Sequence, residues 1–576
     1  MSPITGPMTQ LDTRRKFAIL GAVMLGLFLS AMDQTIVGTA MPRIIAELSG
    51  LKFYSWVFTA YMLASTTAVP IVGKMGDMYG RKNLFLVGIV IFLAGSMLSG
   101  LSQSMLQLII FRGLQGLGGG MIFANAFALV GDLFTPAERG KYAGMMSGVF
   151  GVASVLGPLV GGYITDNLSW RWVFYVNIPL GLVALVVIAT VLPSNARHDV
   201  SRKLDYAGAA ALAATIAPLL LAFSWAGNEY AWASPQVVGA FAVAATMLTV
   251  FVFAERRAAE PVIPFSLFRN PVFAISTLIT FVSGAAMFSG SLYIPLFMQG
   301  VLSFSATNSG LIMMPMTLSM VTGSVLSGQV VSRTGRYKWI CISGFGVATA
   351  GLFILSRMDA GSSGVIGMSG MAVLGLGLGL AFTPLVLSAQ NAVPYSMMGV
   401  TTSMNQFARS VGGTIGVAIM GSLLTRRLDS ELSAQLPAEV QQRAPSLLLA
   451  ALQNPRILLD SHALARLRDQ GFAPVFGADS SRLFDASISS MKDALATSIS
   501  EVFLIGTLLM GVGFLISLFL REVPLRTSYE MPSAFEGEGA PFVGEKGAGS
   551  AGTQPAQSLR GASERAISGD PSPADA

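Results

Sequence analysis

Fourteen times along the chain a largely apolar run of bilayer-spanning length recurs, each bounded by polar or basic residues. The runs cover 17–42, 54–73, 84–101, 105–130, 142–164, 172–192 and 204–226, then 236–254, 271–298, 308–331, 338–356, 364–389, 399–424 and 499–520. Hydrocarbon offers the backbone no water, so segments of this length must satisfy their own N–H and C=O groups as helices. The expected fold is therefore an all-α polytopic membrane protein with 14 transmembrane helices. Composition agrees: only 11% of residues are charged, against roughly 25% in soluble domains. The 63 glycines suit helices that approach closely in lipid. Cys341 stands alone, which excludes an intrachain disulfide. With only His198 and His462 beside it, a His/Cys metal site is excluded too.

Loop charge sets the expected orientation. Arg14, Arg15, Lys16, Lys74, Arg81, Lys82, Arg139, Lys141, Arg197, Arg202, Lys203, Arg256, Arg257, Arg269, Arg333, Arg336 and Lys338 fall on one side. The short loops of the other side hold Arg43, Lys52, Arg171 and Arg357. Seventeen against four places both termini in the cytoplasm of a cell-membrane protein. The same rule accounts for the net charge of +6, so no nucleic-acid surface is required.

Gly73, Asp77, Gly80 and Arg81 reappear 255 residues later as Gly328, Ser332, Gly335 and Arg336, three of four positions matching. This offset implies two six-helix bundles, spans 1–6 and 9–14, with spans 7 and 8 inserted, an arrangement that encloses a path near the midplane. The expected divisions are a cytoplasmic N-terminus at 1–16, a first bundle at 17–195, the inserted pair at 196–260, a second bundle at 261–522 and a tail at 523–576. The tail is rich in Gly, Ser, Pro and Ala and is expected to be disordered. Residues 426–498 form a long outer loop. Leu424, Leu428, Leu432 and Leu436, then Phe484, Ile488, Met491, Leu495 and Ile499, predict two helices running past the membrane as a hairpin.

Charges at membrane depth are the functional candidates. Asp33 is the single charge of 17–42, and an acid there costs about 2.5–3.5 kcal/mol to insert. Arg112 lies at a similar distance from the outer end of its own span, roughly 10 Å deep at 1.5 Å per residue, which makes the two possible partners. A carboxylate caught between burial and an adjacent guanidinium is suited to taking and giving up a proton; a permanent structural ion pair is the alternative. Asp77, Arg81 and Lys82 set opposite charges within one turn between two tight glycines, Gly73 and Gly80. Gly148, Gly157, Gly161 and Gly162 with Pro158 offer a close-packing, bent face on span 5. Arg409, beside Asn405 and Gln406, lies near the middle of span 13.

Several of these stretches resemble the major facilitator superfamily, and specifically its fourteen-span drug:proton antiporter branch, over about residues 15–525. The carriers are Gly73–Lys82, Arg112–Gly116 with Gln115, Gly148–Gly162, Asp33 through Pro42, and Trp170–Pro179 with Asn177. Two departures stand out: Gly38 where the branch usually has Asn, and Ser332 in place of an acid in the second-half loop. The resemblance implies that Asp77, Arg81 and Lys82, with Asp132 as a further partner, latch an inner gate, and that span 5 seals against the second half. It also implies a central cavity lined by spans 1, 4, 9 and 12. Gln34, Gln115, Asn125, Met287, Phe288, Tyr293 and Phe382, together with Asn405, Gln406 and Arg409, are the cavity candidates.

The expected function is proton-coupled export of lipophilic small molecules, because Met and aromatic walls accommodate varied shapes. No cofactor is expected, with the proton as coupling ion, and the expected unit is a monomer among membrane lipids. Export of an envelope lipid or glycolipid, the 426–498 loop guiding it to an extracytoplasmic acceptor protein, is the alternative. No Walker loop, metal cluster or His-based triad appears in the sequence, so an enzyme is not expected.

Overall fold

A computed structural model describes residues 11–48, 54–134, 136–193, 205–227, 230–304, 306–394, 397–453, 457–458 and 461–524. The expected tail from 525 onward, residues 1–10, Arg197, Arg202 and Lys203 lie outside the described residues, as does the side chain of Pro158.

The described chain is helical. In order come α1 (Thr13–Leu48), α2 (Tyr54–Tyr79), α3 (Arg81–Leu101), α4 (Met105–Leu133), α5 (Pro136–Asn167), α6 (Trp172–Tyr175) and α7 (Asn177–Val191). Then follow α8 (Tyr206–Trp225), α9 (Pro235–Arg257), α10 (Pro271–Leu296), α11 (Ala306–Thr334), α12 (Lys338–Ser356) and α13 (Gly364–Asn391). The last are α14 (Met398–Gln435), the short α15 (Ala438–Arg443), α16 (Ser446–Leu452), α17 (Ser461–Arg466) and α18 (Ala473–Phe476), and α19 (Ser480–Ser517). Among the described residues, twelve helices are long and apolar enough to cross a membrane. Two more, α5 with 32 residues and α11 with 29, have the length but fall outside that count.

Local sequence sets the helix starts. Ser104 and Ser234 each accept a backbone N–H from the first turn of α4 and α9, and Asn270 does so for α10, whose first residue is Pro271. Gly80 and Gly335, equivalent in the repeat, both take a left-handed conformation, with φ of 87° and 68°. A side chain with a Cβ is disfavoured there, so each glycine permits the sharp turn into the next helix.

Packing partners recur along the chain. The pairs α1–α5, α2–α4, α3–α4 and α3–α7 have counterparts in α10–α14, α11–α13, α12–α13 and α12–α19. The central helix of each set is glycine-lined. A Cβ on Gly116 or Gly120 of α4 would strike the α2 backbone, and one on Gly118 the α3 backbone. Gly375 and Gly379 of α13 stand in the same relation to α11, and Gly377 to α12. Two helices thus close on one from both sides with backbones nearly touching, which holds helices together where lipid offers no hydrophobic drive. Contacts α2–α14 and α5–α11 join the two sets. Helices α8 and α9 pack on each other, and α8 also lies against α2 and α14.

The described residues between α14 and α19 fold onto the extended ends of those two helices. Leu428, Leu432 and Leu436 meet Leu483, Met491 and Leu495, and the intervening Leu448, Leu452, Phe472 and Phe476 are buried in the same cluster. Amphipathic spacing on two long helices therefore produces a compact cap continuous with the core of the second set.

Candidate functional site

Asp33 and Arg112 meet. Both side chains are 0% exposed, and Arg112 Nη1 donates to Asp33 Oδ2. Three more elements close the site. Gln115, one turn beyond Arg112 on α4, donates to Asp33 Oδ1 at 2.8 Å and accepts from Arg112 at 2.8 Å. Asn177, the first residue of α7, donates to the same Oδ1 at 3.1 Å and also reaches Ser96 Oγ of α3 at 3.1 Å. Ser96 in turn donates to the Phe174 carbonyl at 2.8 Å. The Tyr61 ring of α2 lies under the guanidinium, 4.5 Å from its carbon, a cation–π contact strengthened by the dry surroundings. Arg112, Gln115 and Asn177 each present a donor to the carboxylate. Arg112 Nε and Nη2 and Asn177 Oδ1 are buried with no hydrogen-bond partner, so the cluster holds polar capacity it does not use in this arrangement.

Of these residues, Gln115 is a cavity candidate from sequence; it is fully buried and bonds Asp33. Tyr61, Ser96 and Asn177 were not assigned from sequence. Asn177 had a usable signal, an amide within an otherwise apolar helix start; Tyr61 and Ser96 had none.

The second cluster lies at the other end of α2. Arg81 binds Asp77 at 2.9 Å and Asp132 at 2.9 Å and also donates to the Ala128 carbonyl, which ties α2, α3 and α4 together. Asp77 reaches further: its Oδ1 accepts from Gly399 N at 3.1 Å and its Oδ2 from Val400 N at 2.9 Å. These are first-turn amides of α14, whose positive dipole end suits a carboxylate. Gly399 is required by proximity, since a Cβ there would overlap Asp77, and one on Gly73 would overlap Ser403. Lys82 donates to the carbonyls of Ala189, at 2.8 Å, and Leu192, at the C-terminal end of α7. Lys74 pairs with Glu260 at 2.8 Å, linking α2 to the segment after α9.

The span-5 glycines serve two faces. Gly148 and Gly151 abut Val321 and Thr317 of α11, whereas Gly157 and Gly161 admit Thr35, Ile36 and Thr39 of α1; space beside Gly162 is open. The remaining candidates are dispersed. Gln34 is exposed on α1. Asn125 is buried, donates to the Met121 carbonyl at 2.9 Å and faces Gly76. Met287 and Tyr293 pack in the second core, and Phe288 lies against Gly413. Asn405 is occupied by Thr280 at 3.1 Å and the Thr401 carbonyl at 3.1 Å. Arg409 donates to Gln406 and stands 5.5 Å from the centre of the Phe382 ring.

A family model described as the Major Facilitator Superfamily matches residues 23–417. The chain belongs to that superfamily. It is thus a multi-pass membrane transporter. The Multidrug transporter protein MdtP of Bacillus subtilis (strain 168) is 38% identical over 526 residues, covering 89% of this chain and 94% of its own. Multidrug resistance protein 3 of the same organism is 36% identical over 517 residues, covering 90% and 97%. Among solved structures, the proton:xylose symporter XylE aligns at a TM-score of 0.53 and 12% identity, covering 90% of this chain and 99% of that one. At that identity the likeness is one of superfamily fold.

A smaller site braces one loop of the transporter. Glu47, beyond the spanning part of α1, accepts from Trp170 Nε1 at 2.7 Å and Arg171 Nη1 at 2.5 Å. The Arg171 hydrogen bond, aided by that of Trp170, lowers the Glu47 pKa below the usual glutamate value. A lowered folded-state pKa contributes stability above the unfolded pKa and loses it as pH falls through the folded one. With Glu47 half exposed, the contribution stays below about 1 kcal/mol. The melting-temperature gap between wild type and Glu47→Gln should therefore be present at neutral pH and shrink below the glutamate range, roughly pH 4. A gap that does not change with pH would remove the carboxylate from this role.

Proposed function

We propose that this transporter is a proton-coupled exporter of lipophilic small molecules in the cell membrane. In this reading it is built as two six-helix halves with α8 and α9 inserted, both termini in the cytoplasm. The observation that carries the coupling is Asp33: a carboxylate with 0% exposure, reached by donors from α4 and α7. Protonating it would present a hydrogen toward groups that are already donors, so the proton-bound form favours a different helix arrangement. The Asp77 latch on α14 then belongs to the cytoplasmic gate, and the two sites alternate. Similarity to proteins named multidrug transporters over nearly the whole chain supports the cargo class.

The geometry of the 426–498 segment favours small molecules over lipid. Leu448, Leu452, Phe472 and Phe476 are buried on α14 and α19; among the described residues of the segment the exposed large apolar side chain is Leu447, at 84%. Expression in a host lacking its own pumps should raise tolerance to several structurally unrelated lipophilic compounds by roughly fourfold or more, the effect of a sub-kcal/mol to 1 kcal/mol shift in internal concentration. Unchanged susceptibility across a broad panel, with the protein shown in the membrane, would sink the export reading. Mass spectrometry of the medium then separates exported drugs from exported lipids.

A further inference from the structure

Two arginines lie at membrane depth, and they are not equivalent. Arg112 has its acid in Asp33. Arg409 has no carboxylate in ion-pairing range among the described residues. It lies 11 residues into α14, roughly 16 Å from the start of that helix at 1.5 Å per residue and so near mid-bilayer. The guanidinium cannot shed its proton, and a lone charge at this depth is expensive. Its neighbours compensate little. Gln406 supplies one neutral acceptor, and the Phe382 ring a face at 5.5 Å.

The side chain also points the right way for a ligand. Its position over the buried Phe382 ring of α13 turns it into the helix bundle, and the residue as a whole is half-buried. The backbone of Arg409 is pressed against Gly284 of α10, which fixes the helix that carries the charge. A fork of N–H donors matches a planar carboxylate bidentately, and an adjoining aromatic face matches an apolar ring on the same molecule.

We infer that Arg409, with Gln406 and Phe382, is a docking point for the acidic group of transported molecules, so that lipophilic carboxylates are a preferred substrate class. This rests on the export reading and sharpens it: the missing counter-charge of α14 arrives with the cargo.

The test uses purified full-length protein in detergent and two probes, 1-pyrenebutyrate and its methyl ester, which differ in the carboxylate alone. Wild type should bind the acid roughly tenfold or more tightly than the ester, the size of a charge-assisted hydrogen bond at a desolvated site. Arg409→Gln should erase that preference while leaving ester affinity within about twofold, and Arg409→Lys should keep part of it. No preference in wild type, or an equal loss of both probes in Arg409→Gln, overturns the proposal. Gradient-driven efflux of pyrenebutyrate from proteoliposomes is measured separately. A binding preference without efflux would count against export and leave the docking point standing.

Discussion

Asp33→Asn is expected to abolish proton-driven export. The substitution keeps the shape of the side chain but replaces one acceptor oxygen by an NH2 group, and three donors, from Arg112, Gln115 and Asn177, already converge on the carboxylate. It also leaves the Arg112 guanidinium, 0% exposed, without its counter-charge. Breaking a buried pair from one side destabilises by about 3–5 kcal/mol, so a loss of transport alone would not distinguish coupling from damage. The double variant Asp33→Asn with Arg112→Gln separates the two. Removing both charges restores electroneutrality and should recover most of the melting temperature, while export stays lost because no titrating group remains. Dye accumulation in everted vesicles under an imposed proton gradient is the readout. A single or double variant that still concentrates dye, with its proton dependence unchanged, would refute the coupling role.

Asp77→Ala should unlock the opposite end of the molecule. Two α14 amides and Arg81 lose their acceptor at once. Loss of a helix cap alone is worth about 0.5–2 kcal/mol, and about 2 kcal/mol corresponds to roughly thirtyfold in the balance between latched and open states. Ser403 lies directly beneath Gly73 in the closed contact, which makes it a sensor of that balance. The single native cysteine, Cys341, is buried and contributes little background. A cysteine introduced by Ser403→Cys should react with an impermeant maleimide added from the cytoplasmic side on the order of ten times faster in the Asp77→Ala background. Unchanged labelling together with unchanged export would remove Asp77 from the gate.

Much of this was legible in the residues. Asp33 and Arg112 were matched as possible partners from depth alone, since they lie at similar distances from the ends of their spans. Asp77 stood out as a charge that topology did not require, and the resemblance to the superfamily implied Asp132 as a further partner of the loop. The repeat showed in its two basic turns, and the structure adds that Gly80 and Gly335 share a left-handed backbone. What stayed hidden depends on long-range contact. Nothing local in Ser96 or Tyr61 marks a residue that supports Asn177 or Arg112 from another helix. Asp77 capping α14 joins residues more than 300 positions apart, and the only trace in the sequence was a glycine, Gly399, among many. The contact of Gln115 with Asp33 was likewise hidden, because a helix face read from sequence does not say which neighbour covers it.

Helix α14 is one unbroken rod of 38 residues, roughly 57 Å long at 1.5 Å per residue, nearly twice the hydrocarbon thickness. Its first turn is held by Asp77, its middle is clasped at Gly412 and Gly413 by Phe281 and Phe288, and its last turns are embedded in the outer cap. A stiff rod pinned near its centre is a lever: freeing one end swings the other in the opposite sense. In the proposed cycle the cap is then a pointer across the membrane from the gate, and a dye or antibody attached to it would read the gate's position without entering the bilayer.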